Sequence, residues 1–227
     1  MYEGQYNYVH LYADQGPCYY PAGHVWLYYP IYHLFTKTEL AEYFLIVAHI
    51  LCSCTANLYA ARMAYAYFDH QTIGQLVAFM LAANTNVLWD EAQWQFNDSV
   101  MRTACLMGAY YLAVQSRVVL GSVLFAIGWS LKATCIMWLP SLFGIIQYRY
   151  GIRWLLISFF IIFTYQVLVA LPFTIDQSID DGVTTWRGYL WMSKMTGGDG
   201  RGGKMGWGAA HHCSCYWTFL TAEQFNS

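Results

Sequence analysis

A lysine inside an apolar segment is the strongest candidate for a functional side chain in this sequence. Lys132 lies within the run GWSLKATCIMWLP. A charged group in lipid costs free energy, and it therefore usually faces a partner or a functional site. An anionic partner such as a lipid phosphate would satisfy the ammonium group. The alternatives are a carboxylate of the same chain, or a side chain that reaches the membrane interface from a nearby turn.

A second candidate is the pair Asn97 and Asp98, which precedes an apolar segment in the run WQFNDSV. Asn and Asp are good helix N-caps, because their side-chain oxygens accept from backbone N–H groups of the first turn. The functional alternative is a carboxylate and an amide that bind sugar hydroxyls beside aromatic rings. The local sequence leaves both alternatives open.

The third candidate is the stretch DQGPCYYPAGHVWLYYPIY, from Asp14 to Tyr32. Gly and Pro predict two turns, one at residues 14–17 and one at residues 21–23. A series of aromatic residues follows each turn, and Tyr and Trp favour the membrane–water interface. The stretch is either an interface belt at the start of a membrane helix or a wall that binds a lipid-linked sugar.

Other patterns in the sequence predict no further chemistry. The run HHCSC, from His211 to Cys215, has zinc-ligand residue types, but its spacing is cramped and no second ligand pair follows it. The Gly-rich run GGDGRGG lacks the strand and helix that a phosphate-binding loop needs. We therefore expect no metal and no cofactor.

Composition places the chain among membrane proteins. Hydrophobic residues make up 58% of the 227 residues, and charged residues only 11%, against about 25% in an ordinary globular protein. The net charge of −2 offers no basic surface for nucleic acid. We therefore expect a membrane, and no nucleic acid, among the partners. Residues 1–14 show no basic region and no apolar run, so they do not resemble a signal peptide.

Five apolar stretches predict an all-α, polytopic membrane fold. A spanning helix needs about 20 mostly apolar residues, which the second and the last stretches provide. The shorter or more polar stretches are typical of helices that line a cavity. The five are Ala41–Phe68, Ile73–Trp89, Val100–Val114, Val118–Tyr148 and Ile152–Phe173.

The stretch Val118–Tyr148 is longer than one span needs, and charge suggests how it is arranged. Arginines flank it at Arg117, Arg149 and Arg153. If the stretch enters the membrane and returns, all three arginines share the cytoplasmic side, as the positive-inside rule favours. Lys132 then lies near the far turn, and Pro140 shapes the returning arm. A single long tilted span is the alternative.

The composition changes after Phe173, where the Gly-rich run TGGDGRGGKMGWGAA begins a segment without apolar periodicity. Such a segment is typical of disorder. We predict three regions: a luminal loop at residues 1–23, a multi-span membrane domain at residues 24–173, and a tail at residues 174–227 that is disordered or unrelated to the rest.

Four runs together resemble a known enzyme family, the dolichyl-phosphate-mannose-dependent α-1,3-mannosyltransferases of N-glycan assembly. The first loop is similar to a TGPLVYPAGHVY-like motif of that family, and FNDS resembles its FNDP-type motif. SLKATCIMWLPS resembles an SVKMN…LPG-like segment, and VLVALPF resembles the helix end that follows. The matching positions are Gly16, Pro17, Tyr20, Pro21, Ala22, Gly23, His24, Val25, Phe96–Ser99, Ser130, Lys132, Leu139, Pro140 and Val167–Phe173.

The resemblance implies a GT-C-type glycosyltransferase of the endoplasmic reticulum membrane. Such an enzyme transfers mannose from dolichyl-phosphate mannose to Man5GlcNAc2-diphosphodolichol, and needs a carboxylate as general base and cationic groups at the leaving phosphate. The family's catalytic acid belongs to an Asp-Trp-like motif expected upstream of Met1, so we expect an inactive fragment with an unidentified catalytic residue. The expected substrate-binding residues are Asp14, Tyr20, His24, Asn97, Asp98 and Lys132. The alternative function is a non-catalytic membrane subunit or a transporter fragment.

Overall fold

The computed structural model describes residues 12–13, 16–17, 21–35, 40–83, 98–175, 179–180 and 183–184. The chain divides into two compact units. The larger unit comprises residues 20–171, and the smaller one comprises residues 1–19 together with 172–227. The domain boundaries predicted at residues 23 and 173 remain predictions.

The described part of the larger unit is helical, which confirms the predicted all-α class. Every predicted apolar stretch forms helix over most of its described residues. The elements are α1 (Ala22–Phe35), α2 (Leu40–Phe68), α3 (Gln71–Ala82), α4 (Asp98–Ala113), α5 (Val118–Leu131), a 3₁₀ helix (Ala133–Trp138), α6 (Leu139–Tyr150) and α7 (Ile152–Ala170).

The smaller unit contains short elements where it is described. Strand β1 (Tyr12–Ala13) pairs antiparallel with β2 (Gly16–Pro17), so that Tyr12 faces Pro17. A short helix, α8, covers Pro172–Ile175. Strand β3 (Ile179–Asp180) pairs antiparallel with β4 (Val183–Thr184). Most of the predicted tail lies outside the described residues.

Within the described part of the chain, two helices are long and apolar enough to cross a membrane. They are Tyr43–Phe68 within α2 and Ile152–Ala170, which is α7. In the most apolar 18-residue segment of each helix, only 17% (α2) or 11% (α7) is buried inside the molecule. Large apolar side chains such as Leu51 and Phe160 therefore face outward. Such outward apolar surface on helices of this length suits a lipid environment rather than water.

The stretch Val118–Tyr148 forms the predicted hairpin rather than one tilted span. Helix α5 ends at Leu131, Lys132 has an extended backbone (φ −147°, ψ 121°), and Pro140 lies in the first turn of α6. Helix α6 returns, because Ile146 near its end shares a core with Val118 at the start of α5. The two arms are too short to cross a membrane alone, as the sequence indicated.

Helix α7 then runs in the same direction as α5. The Ser122 hydroxyl donates to the Ser158 hydroxyl oxygen at 2.8 Å, and the Gln166 side-chain amide donates to the Ala126 carbonyl at 2.8 Å. The reversal between α6 and α7 occurs at Gly151, whose φ of 85° is a left-handed conformation that glycine adopts at little cost.

Helices α4 and α5 pack closely through glycines. A Cβ atom added at Gly128 would lie 2.6 Å from the Cys105 Sγ, and one added at Gly108 would lie 2.9 Å from the Gly121 carbonyl oxygen. Small residues that allow backbones to approach are typical of helix contacts in membranes. This antiparallel pair brings the start of α4 beside the end of α5.

The bundle therefore has two distinct ends. We call the end formed by the starts of α1 and α4 and by Lys132 the lysine end. We call the opposite end, which carries Arg117, Arg149 and Arg153, the arginine end. The prediction that these three arginines share one end is confirmed, since they lie at the start of α5, the end of α6 and the start of α7. Their assignment to the cytoplasmic side remains a prediction.

Candidate functional site

The lysine end contains an ion pair between two of the predicted site residues. The Lys132 ammonium donates to Asp98 Oδ1, and the two side chains are 28% and 30% exposed. The sequence left several partners open for Lys132, and in the structure its partner is a carboxylate of the same chain. Because both groups are partly exposed, the pair remains accessible to a ligand.

Local structure accounts for the position of each member of the pair. Lys132 lies where α5 stops, and its backbone N–H still donates to the Gly128 carbonyl at 3.2 Å. Asp98 is the first residue of α4, where the helix dipole favours a negative charge. The end of one helix and the start of another thus present opposite charges to each other.

The YPAGH motif lies against the same place. Ala22 is 2% exposed, and a Cβ atom added at Gly23 would lie 2.2 Å from the Ser130 Oγ. No other residue than glycine fits this approach without a shift of the chain. The runs YPAGH, FNDS and SLK are distant in sequence, yet their described residues meet at one end of the bundle.

A chain of polar side chains lies beside the ion pair. The rings of His24 and Tyr28 are 4.7 Å apart between centroids. The Tyr28 hydroxyl lies 3.2 Å from His49 Nε2, and His49 Nδ1 lies 2.5 Å from the Ser99 hydroxyl oxygen. Ser99 directly follows Asp98 in the sequence. This series of side chains therefore connects α1, α2 and α4 beside the ion pair.

His49 is the residue of this site that the sequence reasoning missed. It is 2% exposed, and it lies in the apolar run AEYFLIVAHILCSC of α2. The signal was present, because an ionisable residue inside a spanning segment usually marks a functional site. Tyr28 was noticed only as one of several aromatic residues at the membrane entry.

Three of the six predicted substrate-binding residues lie within the described part of the chain. His24, Asp98 and Lys132 all belong to the lysine end. The other three, Asp14, Tyr20 and Asn97, lie outside the described residues, as does the run HHCSC. The substrate roles of all six remain predictions.

The site combines one group that binds anions with one group that binds hydroxyl groups. An ammonium group in a partly exposed site attracts an anion, and a carboxylate accepts hydrogen bonds from hydroxyl groups. The aromatic and imidazole rings beside them add an apolar face with polar edges. A ligand that carries both a phosphate and hydroxyl groups matches this set.

Two curated proteins resemble the chain. The Dol-P-Man:Man(5)GlcNAc(2)-PP-Dol alpha-1,3-mannosyltransferase of Homo sapiens is 27% identical over 180 residues, which cover 77% of this chain and 39% of the human protein. The probable enzyme of the same name from Dictyostelium discoideum is 23% identical over 203 residues, which cover 75% of this chain and 44% of that protein. The chain thus spans less than half the length of these relatives.

No solved structure matches the chain, so the likeness to a GT-C bundle remains a prediction. The sequence profile described as "ALG3 protein" matches residues 1–190, which include all the motifs that meet at the lysine end. The two relatives carry the activity that the motifs suggested. The chain therefore belongs to the ALG3 protein family.

Proposed function

We propose that this chain contributes to an α-1,3-mannosyltransferase that moves mannose from dolichyl-phosphate mannose to Man5GlcNAc2-diphosphodolichol. The observation that carries the proposal is the meeting of three family-like motifs around the Asp98–Lys132 pair. The names of both relatives state this activity.

In the proposed reaction, an acceptor hydroxyl attacks C1 of the donor mannose and dolichyl phosphate leaves. The hydroxyl proton passes to a carboxylate base, which we do not assign among the described residues. Negative charge grows on the leaving phosphate as the C1–O bond breaks. We assign Lys132 to this phosphate, because a preorganised cation in a site of low dielectric stabilises developing charge strongly.

Asp98 is assigned to substrate hydroxyl groups. In the free protein it holds the Lys132 ammonium, and an arriving phosphate competes for that ammonium. The carboxylate then becomes free to accept hydrogen bonds from the sugar. His24, with Asp14, Tyr20 and Asn97, completes the proposed sugar-binding set.

The proposed location is the endoplasmic reticulum membrane, with several spans. Two helices meet the length and apolarity of a span. Arg117, Arg149 and Arg153 at the arginine end favour the cytoplasmic side by the positive-inside rule. The lysine end then faces the lumen, where the lipid-linked sugars of this reaction are proposed to bind.

The test is complementation of cells that lack the α-1,3-mannosyltransferase, with lipid-linked oligosaccharides measured by mass spectrometry. A full-length relative in which this chain replaces the matching region should convert Man5GlcNAc2-diphosphodolichol to a product with one more mannose, whereas the chain alone, expected to be an inactive fragment, should not. Lys132→Ala should abolish the conversion at equal protein level. Thr55→Val is the matched control, because the Thr55 hydroxyl bonds only the Leu51 carbonyl of its own helix among the contacts described for it. Absence of conversion by this chimera without further substitution would refute the proposal.

A further inference from the structure

His49 is buried, so each of its two ring nitrogens needs a hydrogen-bond partner within the protein. Its side chain is 2% exposed within an apolar helix. A buried polar group without a hydrogen bond is destabilising, and here both ring nitrogens are engaged, by Tyr28 and by Ser99. A neutral imidazole donates from one nitrogen and accepts at the other. Either tautomer of His49 therefore allows hydrogen bonds to both the Tyr28 and the Ser99 hydroxyl groups.

The Ser99 contact fixes the start of α4. Ser99 is fully buried and directly follows Asp98. One turn later, the Thr103 hydroxyl lies within hydrogen-bond distance of both the Cys52 carbonyl of α2, at 2.6 Å, and the Ser99 carbonyl, at 2.7 Å. Helix α2 therefore contacts each of the first two turns of α4, and the His49 contact is the one nearest to the Asp98 carboxylate.

The Tyr28 contact adds α1 to the same group. Tyr28 packs on His24, one turn earlier on the helix that begins with the YPAGH motif. Gly23 of that motif lies against Ser130, two residues before Lys132. The imidazole of His49 thus connects the helix beside Lys132 with the helix that carries Asp98.

From this geometry we infer that His49 is a positioning residue, which holds the Asp98–Lys132 pair in register by hydrogen bonds to Tyr28 and Ser99. Its contribution to mannose transfer rests on the proposed function, whereas its effect on the pair does not. It acts through Ser99 and α4, and it has no described contact with the Lys132 ammonium itself.

A buried thiol next to the pair reports on its order. Cys135 is 1% exposed, and its N–H donates to the Lys132 carbonyl at 3.2 Å. If the pair loosens, the turn after Lys132 opens and Cys135 becomes more reactive toward a small maleimide.

The experiment measures the rate of maleimide labelling at Cys135 by peptide mass spectrometry, in the full chain in detergent. His49→Leu, which removes both hydrogen bonds, should label at least about 10-fold faster than the wild type, because labelling of a buried thiol requires local opening, and loss of buried hydrogen bonds makes that opening more frequent. His49→Gln keeps a donor and an acceptor, so it should restore slow labelling. Asp98→Asn should label as fast as His49→Leu.

The matched control is Ser122→Ala, which breaks the buried Ser122–Ser158 bridge between α5 and α7. It removes a hydrogen bond of the bundle away from the pair, so Cys135 should label at nearly the wild-type rate. Wild-type labelling in His49→Leu overturns the inference. Equal acceleration in Ser122→Ala or in His49→Gln also overturns it, since His49 would then contribute only bulk or general stability.

The transfer assay separates this inference from the proposed function. With an active wild type, His49→Leu should lower kcat by about 10- to 100-fold and leave donor KM nearly unchanged, whereas His49→Gln should recover most of the rate. If the chimera of this chain with a full-length relative shows no transfer, the proposed function fails, and the labelling rates still decide the role of His49.

Discussion

The two ends of the bundle use charged side chains in different ways. At the lysine end, Lys132 bonds another side chain, the Asp98 carboxylate. At the arginine end, the Arg149 guanidinium donates to the backbone carbonyl of Ala113 at 2.7 Å, and the Tyr150 hydroxyl donates to the Leu112 carbonyl. A cation on the last carbonyls of a helix is a structural cap, whereas a pair of side chains offers groups that a ligand can exchange.

Aromatic residues differ between the ends in the same way. At the arginine end, Tyr59 packs against Tyr110 and Tyr111 with centroid distances of 5.2 Å and 6.1 Å, and such a cluster is typical of a membrane-interface belt. At the lysine end, Tyr28 bonds His49. The comparison predicts that substitutions at the lysine end change transfer, whereas those at the arginine end change mainly stability.

After Lys132→Ala, the largest effect is expected for Asp98→Asn. The amide is almost the same size, but it cannot neutralise Lys132, and its oxygen accepts hydrogen bonds from hydroxyl groups more weakly than a carboxylate does. Transfer measured as product per enzyme should fall by about 100-fold or more. Arg117→Gln at the arginine end should keep wild-type transfer, and equal losses in the two variants would contradict the functional difference between the ends.

Gly23→Ala should destabilise the lysine end by steric conflict. The added Cβ would lie 2.2 Å from the Ser130 Oγ and 2.6 Å from its carbonyl oxygen. Overpacking of this kind costs about 1–3 kcal/mol in the free energy of unfolding, measurable by thermal unfolding in detergent. In Gly144→Ala, the added Cβ meets no heavy atom within 4 Å in the described part of the chain. That control should be neutral or stabilising by up to about 1 kcal/mol.

Tyr150→Phe tests the arginine end. The substitution removes the hydroxyl that bonds the Leu112 carbonyl, and the free energy of unfolding should fall by about 1 kcal/mol. Urea or thermal unfolding measures this loss. Transfer by the folded fraction should stay at the wild-type level, and a drop beyond the loss of folded protein would show that this end also serves the reaction.

Arg149→Gln should have the smallest effect. The guanidinium is exposed, and its bond to the Ala113 carbonyl is a favourable contact at a helix C-terminus. We expect a loss below about 1 kcal/mol in the free energy of unfolding, reduced further by salt. Comparison of the melting temperatures of wild type and variant at low and high salt checks this. A salt-independent loss larger than that of Tyr150→Phe would contradict a simple capping role.

Much of the fold could be predicted from local pattern. The apolar stretches predicted the helices. The placement of Arg117, Arg149 and Arg153 favoured a hairpin with all three at a common end over a single tilted span, and the structure has that hairpin. Each of these inferences depends on residues close together in sequence. Helix bounds differed by a few residues, as at Ala170, where α7 ends before the predicted Phe173.

The candidate site could be predicted only in part. Motif residues identified His24, Asp98 and Lys132, but the partner of Lys132 stayed open, because a carboxylate, a phosphate and the membrane interface all satisfy an ammonium group. His49 was missed, because a single histidine in an apolar helix does not reveal what lies opposite its ring. Ser99, its partner, is 50 residues away.

The sequence by itself therefore determined the family, the helical membrane-type fold and the clustering of arginines, since motifs, apolarity and charge are carried by neighbouring residues. Only the tertiary structure decided that Lys132 bonds Asp98, 34 residues away, and that His49 connects Tyr28 with Ser99. Those contacts depend on how closely and in which direction the helices pack. Glycines at positions 23 and 128 permit that approach, because a side chain there would occupy the space of Ser130 and Cys105.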